Sequence, residues 1–164
     1  MPIRTLGDPV LREAATPVET FDDALRGLAD DMFETMYAAP GVGLAANQVG
    51  LRTSCFVYDD REGHAGFVAN PELSEPEDEE TFEEGCLSIP GPYHPLVRAL
   101  RVRLRGAALD GSPLDLRAEG LLARIFQHET DHLSGMLYID RLDEPGRRDV
   151  MRQLREFEVQ RSET

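Results

Sequence analysis

Between Thr20 and Ala39 the apolar residues Leu25, Leu28, Met32, Phe33 and Met36 recur at steps of three and four. That spacing lines one side of a helix and predicts one here. Thr20 is the expected N-cap, with Asp23 three residues on, and Pro40-Gly41 the expected stop. The pattern then changes. RTSCFVYDD and GFVANPE read as strands, the second ended by Asn70-Pro71. ALRVRLRGAALDGSPLDLRAEG alternates apolar and polar positions around Asp110-Gly111, a hairpin signal. AEGLLARIFQHETDHLSG returns to helical spacing and closes at Gly135. EPGRRDVMRQLREFEVQ predicts a last, mostly polar helix over roughly residues 145–160. Strands precede and flank a central helix, so the expected class is α+β and not a doubly wound sheet.

A chain of 164 residues is expected to form one domain, 1–164. Hydrophobic residues make up 41%, enough for a core, but no run approaches the ~20 apolar residues that span a bilayer. The first residues, MPIRTLGDPVLREAATPVE, lack the apolar middle of a secretion signal, so a cytoplasmic protein without membrane attachment is expected. Neither of the two cysteines is then expected in a disulfide. Cys55 falls in a strand-like run and reads as a small core residue. Net charge is −14, and all 17 basic residues are arginine. That acidity argues against a protein that coats DNA or RNA. Glu72–Glu84 carries eight acidic residues and no basic one, and is expected to be an exposed, solvated segment.

Three segments carry chemistry. In QHETDHLSG, His128 and His132 stand four apart with Glu129 after the first. On a helix both histidines point to one side, where they can hold a metal ion while the glutamate handles protons. The short pattern also arises in ordinary amphipathic helices, so the third ligand matters. The position where a metzincin places its third histidine is Tyr138, which removes that reading. Glu156 or Glu158, on the last helix, would complete a thermolysin-like site, and Cys86 in EEGCLSIPGPY would complete a Cys-His-His site. Gly85 and Pro90 place Cys86 at a shaped loop or strand end. In GVGLAANQVG the glycines imply close backbone approach, no phosphate-loop Lys follows, and Asn47 and Gln48 offer neutral amide donors of the kind an oxyanion hole uses.

Together and in this order, GVGLAANQVG, EGCLSIPG and QHETDHLSG closely resemble the three signature motifs of the peptide deformylases. GDPVLR near the start and ALDG in the hairpin fit as well. The resemblance spans almost the whole chain. It implies an α+β fold with the HExxH helix packed against antiparallel strands, and removal of formyl from the N-formylmethionine of nascent chains. Cys86, His128 and His132 become the metal ligands, Glu129 the general acid/base, and Gln48 and the Leu87 N–H the oxyanion donors. Gly43 and Val42 are implied to meet the substrate. Glu84 is implied to belong to the substrate side and is expected to pair with Arg98, while the stem of Arg124, with Ile125 beside it, is implied to wall the methionine pocket. Fe²⁺ is the implied ion, with Zn²⁺, Ni²⁺ or Co²⁺ as substitutes. In some relatives a C-terminal helix docks on the ribosome, which makes Arg147, Arg148, Arg152 and Arg155 candidate contacts.

Overall fold

A computed structural model describes residues 1–164. Its helices are α1 (Asp23–Ala38), α2 (Leu121–Leu133) and α3 (Glu144–Ser162). Its strands are β1 (Gly43–Ala45), β2 (Cys55–Asp59), β3 (Ala65–Cys86), β4 (Ile89–Ala107) and β5 (Pro113–Glu119). Each strand pairs antiparallel with the next, in the order β1-β2-β3-β4-β5. This is the α+β class, with α2 packed against an antiparallel sheet.

The core explains the patterns. Cys55 and Val57 of β2 point into a cluster with Leu25, Ala29, Met32 and Met36 of α1. Phe56 and Tyr58 point the other way, onto Ile125 and Phe126 of α2. Successive strand residues face opposite sides, so a strand between two helices must be apolar throughout, as CFVY is. Burial pushes the Cys55 thiol up to about 12, which keeps it a packing group. A third cluster joins Ile89 and Leu96 of β4 to Leu137, Tyr138, Val150 and Leu154, and fastens α3 to the sheet.

Several local expectations are corrected. Thr20 does not cap α1. Asp22 does, accepting the Leu25 N–H at 3.0 Å from extended backbone immediately before the helix. Asn70-Pro71 does not end a strand, because β3 runs on to Cys86. Asn70, at φ 52°, instead makes a bulge, with the register to β4 slipping between Ala69 and Glu72. Its side chain accepts from Val18 N–H and donates to Val18 C=O, so it binds the incoming chain as a strand would. The acidic run is exposed as expected, but it is strand and not a free segment. Arg101 donates to Asp78, and Arg103 to Glu75 and Asp115. Opposite charges across neighbouring strands relieve the like-charge repulsion along β3.

The two glycine turns fall where the pattern places them. Gly111, at φ 86°, turns β4 into β5, and Asp110 accepts the Ser112 N–H. Gly135 ends α2 at φ 79°, and a Cβ there would lie 2.7 Å from the Arg12 carbonyl oxygen, so only glycine fits. No helix is long and apolar enough to cross a membrane.

Candidate metal centre

Three pieces of chain converge between β1 and α2. His128 and His132 lie one turn apart on α2, with their Nε2 atoms 3.1 Å from each other. Cys86 ends β3, where the register breaks between Glu84 and Cys86 and the chain turns back through Leu87-Ser88. Its Sγ lies 3.3 Å from His132 Nε2. The three ligand atoms all fall within 4.8 Å of one another. Metal bonds of ~2.0–2.1 Å to nitrogen and ~2.3 Å to sulfur put tetrahedral donors about 3.3–3.6 Å apart, so this set fits one ion. Glu156 lies on the exposed side of α3 and takes a hydrogen bond from Arg152, and Glu158 is exposed too. Neither joins the cluster, which removes the thermolysin-like completion.

The charge behind the histidines is organised by Glu84. His128 Nδ1 lies 2.5 Å from Glu84 Oε1. Arg98 donates to both carboxylate oxygens through Nη2 and Nε, and Arg124 Nη1 donates to Oε2 at 2.9 Å. Four donors meet the roughly four lone-pair sites of one carboxylate. Burial alone would push this carboxyl up. The hydrogen bonds from His128 and Arg98 win, and hold it well below the usual carboxylate range. An ionised Glu84 takes the Nδ1–H of His128, which leaves the Nε2 lone pair facing Cys86 and His132. Arg98 Nη1 continues the chain to Asp131, which also takes two bonds from Arg141. His132 is held well below its ordinary value by burial and then by His128, so it is neutral. For His128 burial works downward too, but the charges of Glu129, Cys86 and Glu84 outweigh it and raise it well above the ordinary value. A field that draws a proton to this point also draws a divalent cation.

Glu129 sits on the other side of the ligands. Its Oε1 is buried and makes no hydrogen bond. A Cβ on Gly43 would lie 2.5 Å from its Oε2, so the glycine keeps open the gap between β1 and this carboxylate. Burial pushes the Glu129 carboxyl up to about 7, and an ion among the ligands would act in the opposite direction.

The remaining expected site residues divide. Gln48 is buried in the 3-10 turn Ala46–Val49, with Nε2 3.8 Å from Cys86 Sγ. Asn47 donates instead to the carbonyl of His132, so it holds α2 and leaves Gln48 as the amide at the centre. Leu87 follows Cys86 in the turn, and its side chain fills the space beside Gly41. Val42 is half-exposed before β1. Arg124 lies one turn before His128, but its guanidinium is committed to Glu84 and to the carbonyls of Leu96 and Glu80. Ile125 is buried in the cluster with Phe56 and Phe126. Asp131 and Ser88 also touch this network and are not among the expected site residues. An acid three residues after a metal-side histidine is a readable signal for Asp131. A serine in a turn has many uses, and Ser88 carries no such signal.

Glu84→Gln is expected to weaken ion binding about 10–100-fold, because His128 loses its anionic partner. It should also destabilise the fold by about 3–5 kcal/mol, since Arg98 and Arg124 are buried around that charge. Competition of the stripped protein with a coloured chelator checks the first effect and urea unfolding the second. Wild-type values in both would show that Glu84 positions nothing.

The model of the polypeptide deformylase family matches residues 1–148. The chain is 52% identical over 157 residues to the peptide deformylase of Acidothermus cellulolyticus, across 96% of this chain and 87% of that one. It is 49% identical to that of Parafrankia sp., across 95% and 86%. The crystal structure of a peptide deformylase from Legionella pneumophila superposes with a TM-score of 0.92 at 42% identity, covering 99% of this chain and 97% of that one. The peptide deformylase from Thermus thermophilus gives 0.89 at 43% identity, covering 97% and 98%. With the three signature segments brought together around one thiol and two imidazoles, the chain belongs to the peptide deformylase family.

Proposed function

We propose that this chain hydrolyses the N-formyl group of N-formylmethionine on newly made polypeptides, using one divalent ion held by Cys86, His128 and His132. The observation that carries this reading is a three-ligand cluster beside a buried, unpartnered carboxylate in a chain of this family. Nascent chains as substrate imply action in the cytoplasm, and nothing in the reaction calls on DNA or a membrane.

Cys86, His128 and His132 would hold the divalent ion, which would supply Lewis acidity to a water and to the formyl group. Glu129 accepts the proton as the water attacks the formyl carbon. The Gln48 amide and the Leu87 N–H donate to the oxygen as charge builds on it. Loss of one such donor typically costs ~10²–10³ in rate. Glu129 then passes the proton to the amine, the C–N bond breaks, and formate and a free N-terminus result. Gly43 and Val42 flank the substrate backbone, while the aliphatic stem of Arg124, with Ile125 beside it, walls the methionine side and Glu84 fixes the Arg124 head. Selectivity for formyl over acetyl would come from a pocket too small for the extra methyl.

The test is formate release from a formyl-Met tripeptide, set beside the same peptide unformylated and N-acetylated. Formate from the first alone is expected. Internal cleavage of the unformylated peptide would favour a peptidase instead.

One thiolate and two imidazoles suit Zn²⁺, Fe²⁺, Ni²⁺ and Co²⁺. Affinity alone favours Zn²⁺ over Fe²⁺, so the assignment of Fe²⁺ rests on the family resemblance. Stripped protein reloaded with Fe²⁺ under nitrogen should be the faster, and air should inactivate it by oxidising iron or the Cys86 thiolate. The Zn²⁺ form should be slower and longer-lived. Equal rates and equal lifetimes in air would overturn the iron assignment alone.

Ribosome docking through α3 is part of the same proposal, carried by the exposed arginines Arg147, Arg148 and Arg155. Val150 and Leu154 tie α3 into the core, so deleting the helix would disturb the fold. Charge reversal at Arg148 and Arg155 is the cleaner probe, and unchanged ribosome co-sedimentation would exclude docking through them.

A further inference from the structure

We propose that Ser88 is a positioning residue for the Gln48 amide: its buried hydroxyl holds the side chain so that one N–H faces the reacting centre. The proposal rests on Gln48 being an oxyanion donor. The hydrogen bonds around Gln48 carry it. The backbone N–H of Ala45 can only donate, so the amide atom 2.9 Å from it is Oε1. That assigns Nε2 to the opposite side, with two hydrogens. One points to Ser88 Oγ at 3.1 Å. The two N–H bonds of a planar amide diverge by about 120°, so the second is directed elsewhere. Nε2 has one further neighbour, Cys86 Sγ at 3.8 Å, a long contact that leaves this hydrogen available at the ligand cluster.

Ser88 is built to do this. It is fully buried, and a buried hydroxyl costs stability unless it is used. Its backbone is fastened to the same short stretch that holds Gln48. Leu6 N–H donates to the Ser88 carbonyl at 2.9 Å, and Arg4 N–H to the Gln48 carbonyl at 2.7 Å. Hydroxyl and amide therefore keep a common frame, although Gln48 and Ser88 are forty residues apart. Without the hydroxyl, the Ala45 N–H alone restrains the last torsion of Gln48, a broad rotation between sp³ and sp² atoms. The donor direction spreads, and the loss falls on the transition state more than on substrate binding.

The test is a double-mutant cycle on ion-loaded enzyme: wild type, Ser88→Ala, Gln48→Ala and the double variant, each with kcat, KM and ion content. Ser88→Ala is expected to lower kcat about tenfold with KM within about twofold. Gln48→Ala should lower kcat ~10²–10³-fold, and the double variant should match Gln48→Ala within about twofold. The Co²⁺–thiolate absorption band should be the same in all four. If Ser88→Ala does not fold, Ser88→Cys, of similar size and a weak acceptor, takes its place. Additive losses in the double variant, or a Ser88 effect seen as lost ion or raised KM, would overturn the proposal. An unchanged kcat in Gln48→Ala would overturn the oxyanion reading itself, and Ser88's role with it.

Discussion

Glu129→Ala is expected to fold, hold one ion per chain and lose ~10²–10⁴-fold in kcat. The ligand set does not include Glu129, so ion content should stay at the wild-type level. Its Oε1 makes no hydrogen bond, so truncation leaves no broken network at that atom. A buried, partnerless carboxylate is also a burden on the fold, and the alanine variant should unfold at equal or higher urea concentration than wild type. Activity, ion content by elemental analysis and the urea midpoint separate the possibilities. An inactive variant that has also lost its ion would place Glu129 among the ligands and not in proton transfer.

Cys86→Ala is expected to cost more than any change outside the ligand set. Removing the thiolate leaves two imidazoles, and ion affinity should fall well beyond the 10–100-fold typical of outer partners such as Glu84. Activity at micromolar ion should drop to background. Cys86 sits at the break in the β3–β4 register, partly exposed, so the missing sulfur leaves little buried void and the fold should survive. A variant that keeps tight one-to-one binding would reopen the search for a third ligand.

Much of this molecule is written locally. The apolar rhythm of α1, the unbroken CFVY of a strand covered on both sides, the Asp110-Gly111 turn and the two histidines of α2 each depend on their own neighbours. What the chain hides is set by partners far away. Asn70-Pro71 reads as a stop, and becomes a bulge because β4 continues to pair beyond it. The acidic run reads as an exposed segment without structure; most of its acids are exposed, but it is strand, with Arg101 and Arg103 paired to it. Thr20 and Asp22 are equally good caps by type, and only the start of the first turn decides between them. The site shows the same division. His128, Glu129 and His132 are visible from spacing alone. Local pattern leaves Cys86 in competition with Glu156 and Glu158, and the β3–β4 turn favours Cys86 by carrying its thiol to His132. Ser88 meets Gln48 from forty residues away, which no spacing reveals, whereas Asp131 lies three residues after His128 and is open to reading.

A single ion held by Cys86, His128 and His132 is proposed to enable this chain to release formate. The most direct test is a titration of metal-stripped protein with Ni²⁺ while formate release from a formyl-Met tripeptide is followed. Activity should start at background, rise linearly and stop rising at one ion per chain, with Cys86→Ala staying at background over the same range. Full activity without added ion, or a rise that continues to two ions per chain, would contradict a single-ion site.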